Sequence, residues 1–394
     1  MRRPGMVATV TGEPRDKRAW DIVVFGATGF AGRLVAEYLD RVAPKDVRLA
    51  IAGRSQERLA AVAAGLRRPV GVIVAGVDDP QALAAMVAAT RVLVTTVGPY
   101  ARLGEPVVAA CVAAGTDYLD LTGEPGFVAR TIARHDEAAR ASGALVIHCC
   151  GFDSIPTDLG VLFTVQQLPA GRPIEIDGYF EGNAGFSGGT VASALGAFAE
   201  SWVRMPRPIA SSGRTIQRAR RGLHWQPALR RWALPLPTID PMIALRSAAA
   251  RDDYGPAFRY GHYLCLRSLP AVAGAVVGFG ALALMARMGP TRAWIERKFP
   301  SGSGPDEAKR KASWFRFVFR GRAGGVEIAT EVAGGDPGYD ETARMIGESA
   351  LCVLMDRAHL PVGGVCTTAA ALGERLLARL QAAGMSFRVL PDAG

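Results

Sequence analysis

The chain has 394 residues, 49% of them apolar, and a formal charge of +10 carried mostly by arginine. That length and apolar share exclude broad disorder and leave room for two domains with a sizeable core. The basicity comes without helix-turn-helix, zinc-finger or RNP patterns and with only 7% aromatic residues, so no nucleic-acid partner is expected.

Residues 1–18 are polar and charged without an apolar signal core, which predicts a disordered tail. The run Asp21-Ile-Val-Val-Phe-Gly26-Ala-Thr28-Gly29-Phe30-Ala-Gly32 then takes an apolar strand into three glycines at three-residue spacing. A helical pattern follows at once, Leu34–Leu39. Strand, glycine turn and helix start form a cradle for a dinucleotide pyrophosphate. Gly26 allows the tight turn, Gly29 the approach of backbone to phosphate, and Gly32 the packing of helix on strand. Thr28 and Phe30 complete the contacts expected there, and the helix N-terminus favours the anion.

The second strand, 47–52, ends in Gly53-Arg54-Ser55, where an NAD site usually carries an acidic residue for the ribose 2′-hydroxyl. A guanidinium there suits a 2′-phosphate and adenine stacking, so NADPH is the expected cofactor, held by Arg54 and Ser55. Asp78 follows the run Val70–Val77 and is expected near adenine; it or Asp79 equally explains the N-cap of a helix over Pro80–Ala89. Val92–Val97 leads into Gly98-Pro99-Tyr100, where Gly98 and Pro99 let backbone approach the nicotinamide or ribose. Tyr100 is expected as a proton donor or as a wall of the site.

Asp117-Tyr118-Leu-Asp120-Leu-Thr122-Gly123-Glu124 places carboxylates and a phenol at the same sheet edge, with loop fixing and capping as the leading role and Glu124 also suited to a helix N-terminus. In His148-Cys-Cys-Gly151-Phe152-Asp153-Ser154-Ile-Pro156, His148 reads as a core histidine, and Asp153 or Ser154 as a cap of the helix over 157–168. Strand and helix patterns alternate up to that point, which predicts a doubly wound parallel Rossmann-type sheet over 19–153.

A second, α+β substrate domain is expected over 154–338, with antiparallel strands at Ile174–Gly182, Trp314–Arg320 and Val326–Val332. The glycine-rich stretch Asn183–Thr190 offers Ser187 and Thr190 as groups to polarise a substrate carbonyl. Arg204–Arg231 holds eight arginines and no carboxylate; it reads as a solvated basic loop or a dock for an acidic carrier protein or lipid surface. Ser268–Ala286 carries no charge and is expected as a buried or interface helix inserted in this domain, with a membrane-surface element or a span as alternatives. Over 339–394, helices at Tyr339–Arg357 and Thr367–Ala383 are expected to pack back on the first domain, followed by a short strand near 385–390. The six cysteines show no CxxC or metal spacing and read as small buried hydrophobes in a reducing compartment; no metal site is expected.

As an ordered set, the glycine turn, Val97-Gly-Pro-Tyr100, Tyr118-Leu-Asp120-Leu-Thr-Gly123-Glu124, Gly151-Phe-Asp153-Ser-Ile-Pro156-Thr-Asp158, Ser187-Gly-Gly-Thr190, Gly334-Gly-Asp336-Pro-Gly-Tyr339 and Gly363-Gly-Val-Cys-Thr367 resemble the saccharopine dehydrogenase-like oxidoreductases over almost the whole chain. Within that family the chain is most similar to the trans-acting enoyl reductases of phthiocerol-type lipid biosynthesis. The resemblance implies a hydride from NADPH to the β-carbon of an enoyl group and a proton to the α-carbon. An apolar acyl or polyketide substrate linked to a carrier or CoA is expected, and the protein is expected to be cytoplasmic, soluble or peripheral to a membrane. An imine or carbonyl reductase and a non-enzymatic lipid-associated protein are the alternatives, and self-association is left open.

Overall fold

A computed structural model describes residues 15–183, 213–219, 221–287 and 306–391. Its first layer is a seven-stranded, wholly parallel sheet. The strands are β1 (Trp20–Phe25), β2 (Leu49–Gly53), β3 (Gly71–Val74), β4 (Thr90–Thr95), β5 (Asp117–Asp120) and β6 (Leu145–Ile147), joined by β14 (Gly364–Cys366) from the C-terminal part. Their order is β14-β6-β5-β4-β1-β2-β3. The chain therefore runs outward from β1 through β2 to β3, then restarts on the other side of β1 with β4. That reversal is the topological switch point where such sheets bind ligands.

The crossover helices are α1 (Phe30–Val42), α2 (Gln56–Ala64), α3 (Pro80–Ala88), α4 (Tyr100–Ala114) and α5 (Pro125–Ser142). Side chains of β1 alternate between two cores. Val23 and Phe25 face Leu83, Met86, Val107 and Val108, whereas Ile22 and Val24 face Val35, Leu39, Met345 and Ile346. The last two residues belong to a helix over Asp340–Asp356 that covers the sheet beside α1. Tyr38 donates to Glu348 at 2.8 Å, and a side chain at Gly347 would start 2.5 Å from the Tyr38 ring.

The second sheet has eight strands: β7 (Ile174–Asn183), β8 (Thr215–Arg218), β9 (His224–Gln226), β10 (Arg231–Pro235), β11 (Ala257–Leu266), β12 (Trp314–Ala323), β13 (Val326–Gly334) and β15 (Ser386–Val389). It is mixed rather than antiparallel, because β11 runs parallel to both β7 and β8. The described part of the arginine-rich stretch is not a loop: it builds β8, β9 and the start of β10, with side chains such as Arg231 paired to Glu181 at 2.6 Å.

One face of this sheet packs on α6 (Ile155–Val165), a helix buried along most of its length, where a side chain at Gly160 would start 2.3 Å from the Phe319 ring. The helices α7 (Asp240–Ala250), α8 (Leu269–Arg287), α9 (Glu307–Ala312), α10 (Asp340–Asp356), α11 (Thr368–Ala371) and α12 (Gly373–Ala382) complete the chain. Asp158 in α6 ties two of them to its own helix: it accepts from Ser247 of α7 at 2.5 Å and from Thr368 and the Ala369 N–H of α11 at 2.7 Å each.

Several expectations are corrected. The end of the expected tail meets the first sheet, where Arg15 donates to Asp117 at 3.0 Å and Arg18 to the Thr90 carbonyl at 2.7 Å, while residues 1–14 lie outside the described residues. The helix over 367–383 is broken at Gly373, whose φ is +45°. The uncharged segment is not a core helix. Val272 is buried, but Leu269, Val276, Val277 and Leu284 are 52 to 70% exposed. Among the described residues no helix is long and apolar enough to cross a membrane.

Candidate active site

The first turn after β1 has the shape its glycines demand. Gly26 has φ +92°, and Gly29 donates to its carbonyl at 2.9 Å. A Cβ on Gly32 would lie 2.2 Å from the Gly26 oxygen, so α1 packs directly on the turn. Gly29 is the N-cap of α1 and supplies no side-chain acceptor, which leaves the first-turn N–H groups for an anion. Thr28 lies beside Gly53, and the Phe30 ring meets Tyr339 edge-on at 4.9 Å with the Arg310 guanidinium 5.6 Å from its centre.

On the β2–β3 side, Arg54 is exposed and makes no ion pair among the described residues. Gly76 sits between it and Asp78: a side chain there would start 3.3 Å from Arg54 Cγ and 2.4 Å from Asp78 Oδ1. Ser55 caps α2 by accepting from the Arg58 N–H at 3.3 Å. The open choice of cap for α3 is decided: Asp79 accepts from the Ala82 N–H at 3.0 Å, so Asp78 is free of that duty. An Asp79→Ala variant is expected to lose about 1 kcal/mol of stability and to keep its nucleotide affinity, as a thermal melt beside a binding titration would show.

On the β4–β6 side the strand ends carry a dense carboxylate network. Asp120 accepts from the N–H groups of Thr122 at 3.1 Å and Cys149 at 3.0 Å, from the Tyr118 hydroxyl at 2.9 Å, and pairs with His148 Nδ1 at 2.6 Å. It fixes the ends of β5 and β6 together. Glu124 accepts from the N–H groups of Tyr100 at 2.9 Å and Ala101 at 2.7 Å, so it caps α4 rather than its own helix. Gly98 lies against the Tyr100 ring, and Pro99 opens α4. The Tyr100 hydroxyl donates to the Thr95 carbonyl at 3.0 Å and accepts from the Leu121 N–H at 3.2 Å, and burial raises its pKa far above the ordinary phenol value. That geometry fits a wall better than a donor. Tyr100→Phe is expected to keep turnover within about threefold while losing about 1 kcal/mol of stability; a drop beyond tenfold in a steady-state assay would restore it as a donor.

Neither Asp153 nor Ser154 caps α6 through its side chain. Phe152 enters an aromatic cluster with Phe315 at 5.0 Å, Phe180 at 5.9 Å and Phe317 at 6.1 Å. Thr342 at the start of α10 accepts from the Phe152 N–H at 3.2 Å and holds it there. Behind it, Thr157 donates to Asp240 at 2.7 Å, and His262, with Nδ1 2.9 Å from the Tyr260 hydroxyl, has its pKa lowered by burial. The sequence reading gave Phe152, Asp240 and His262 no place in the site, and the structure gathers them at this edge, with His262 Nε2 3.9 Å from an Asp240 carboxylate oxygen. The alternation of Phe258, Tyr260 and His262 was the signal for β11. Ser187 and Thr190 lie outside the described residues.

A dinucleotide phosphate fits this arrangement, because the glycine cradle is tightly packed and an exposed guanidinium without an ion pair among the described residues, Arg54, stands at the end of β2. Sheet, switch point and cradle define a dinucleotide-binding oxidoreductase. Residues 22–147 match the saccharopine dehydrogenase NADP binding domain, so the dinucleotide is NADP(H). A Mycobacterium tuberculosis protein named as a candidate trans-acting enoyl reductase is 38% identical over 418 residues, covering 96% of this chain and 99% of its own. The trans-acting enoyl reductase of Mycobacterium leprae is 34% identical over 414 residues, covering 94% and 97%. The apo saccharopine dehydrogenase (L-Glu forming) of Saccharomyces cerevisiae shares the fold, with TM-score 0.56, 14% identity, and coverage of 94% of this chain and 100% of that one. This chain belongs to the trans-acting enoyl reductases within the saccharopine dehydrogenase-like oxidoreductases.

Proposed function

We propose that this protein reduces the carbon–carbon double bond of an apolar enoyl chain carried as a thioester. Gly26, Thr28, Gly29, Phe30 and Gly32 would hold the pyrophosphate, Arg54, Ser55 and Asp78 the adenosine end, and Gly98 and Pro99 the nicotinamide end. NADPH, when bound, supplies the hydride. Strand order supports this cofactor direction: the glycine turn lies on β1, the arginine on the β2–β3 side, and the remaining strand ends on the β4–β6 side.

The observation that carries this reading is the composition of that β4–β6 edge. The carboxylates Asp120, Glu124, Asp153 and Asp240 gather there with Phe152 and its aromatic neighbours. An imine substrate bearing several carboxylates would meet like charge. A neutral acyl chain meets rings that exclude water. With NADPH in excess, a long-chain trans-2-enoyl thioester should be consumed and a carboxylated imine should not. The reverse preference would overturn the reading.

A second element of the reading concerns partners. The exposed Leu269, Val276, Val277 and Leu284 share one face of α8, a helix without charge before its last residue. That face supports docking on a lipid surface that presents the apolar substrate. Val277→Asp with Leu284→Asp is expected to abolish flotation with anionic vesicles while leaving NADPH affinity unchanged; equal flotation of both proteins would remove this element.

A further inference from the structure

Asp153 has no structural duty. It stands just beyond β6, next to Phe152, with Oδ1 3.2 Å from the point where a Gly123 side chain would begin. It is exposed to solvent and makes no hydrogen bond or ion pair among the described residues. The neighbouring carboxylates are committed: Asp120 to β5 and β6, Glu124 to the N-terminus of α4, and Asp240 to Thr157. Asp153 is thus, among the carboxylates named here, the accessible one at the edge where the reading above would place the nicotinamide, and it is flanked by the aromatic cluster.

We propose that Asp153 is the proton donor of the reaction, passing its carboxyl proton to the α-carbon of the enoyl group. This rests on the double-bond reduction proposed above. The β-carbon gains hydrogen with both electrons of the hydride, and the cofactor is oxidised to NADP+. The displaced π pair takes the proton from Asp153 and becomes the new α-carbon–hydrogen bond. The carboxylate left behind recovers its proton from water, which reaches it.

The surroundings suit that role. Part of the Asp153 side chain reaches solvent, yet the protein around it still takes away hydration, and Asp240, Asp120 and Glu124 repel its charge, so its pKa is pushed up to about 7. Tyr100 and Cys149 also lie within its field, and burial keeps both protonated. An acid with that pKa is both present and effective near neutral pH. A donor must hold its proton, so turnover should fall as pH rises through about 7.

The test compares wild-type protein with Asp153→Asn, both loaded with NADPH and given a trans-2-enoyl thioester. Wild-type kcat/KM should fall above pH 7. An infrared titration of the wild-type protein should show a carboxyl band, absent from the variant, with a midpoint near that pH. The variant should bind NADPH within about twofold of wild type, lose roughly 100-fold or more in kcat at pH 7, and lose the pH limb. A variant that turns over within threefold on the same pH profile overturns the donor and leaves the enoyl reading standing. A wild-type protein inert toward enoyl thioesters overturns both. Should the variant fail to bind NADPH, the wild-type profile decides: a limb matching the infrared midpoint supports the donor, and a flat profile from pH 5 to 9 overturns it.

Discussion

Replacing Gly32 by alanine is expected to cost about 3 kcal/mol of stability and roughly 100-fold in NADPH affinity. The added methyl would lie 2.2 Å from the Gly26 oxygen, 2.7 Å from the Gly26 carbonyl carbon and 2.7 Å from Thr96 Oγ1. Two of these atoms are backbone, so no rotamer change relieves the clash. Either α1 lifts from β1 or the turn moves, and each displaces the N–H groups meant for the pyrophosphate. Gly29→Ala is the matched control. Its methyl would sit 3.3 Å from the Gly26 oxygen on a backbone with φ −80°, so the fold should lose about 1 kcal/mol or less. The nucleotide should still bind more weakly, because a methyl would stand where phosphate approaches. Thermal melts with titrations separate the two variants, and equal melting temperatures for Gly32→Ala and wild type would contradict the packing described.

Arg54→Ala is expected to weaken NADPH binding by about 10- to 100-fold and to leave NADH binding unchanged within about twofold. The guanidinium stands at the end of β2 without an ion pair among the described residues, so its charge is available to a 2′-phosphate. Because it is exposed, the NADPH advantage should shrink as salt is raised. Calorimetric titration of both nucleotides at two ionic strengths reads this directly. Equal losses for NADPH and NADH would assign Arg54 to the adenine or to the fold.

The packing at Gly32 was legible, and the reading of Arg54 rests on the same kind of local rule. A glycine turn between an apolar strand and a helix has few alternatives, and the residue at the end of the second strand faces the ribose whatever else surrounds it. The edge strand β14 and the run β8 to β11 were missed for the opposite reason. Gly364–Cys366 is three residues long and gains its place only by pairing with β6. The strands β8 and β9 are short, lie in an arginine-rich stretch that reads as loop and carry one arginine and a histidine, and it is pairing with β11 and β10 that makes them strands. The parallel direction of β11 beside β7 depends on how the chain returns to the sheet, which a strand's own pattern does not encode. The role of Glu124 was half legible: a carboxylate before proline does mark a helix start, but the N–H groups it meets belong to α4, 23 or 24 residues earlier. Asp153 looked like a cap from its position, and only the absence of any side-chain cap at α6 leaves it free for chemistry.

The central claim is NADPH-dependent reduction of a carbon–carbon double bond, and labelled product analysis tests it most directly. The protein would be given NADPH carrying deuterium at the transferable position and a long-chain trans-2-enoyl thioester in ordinary water. The account predicts a saturated thioester with one deuterium on the β-carbon, and in heavy water a second label on the α-carbon. An unchanged enoyl chain, or deuterium on a carbon that was a carbonyl or imine, would contradict it.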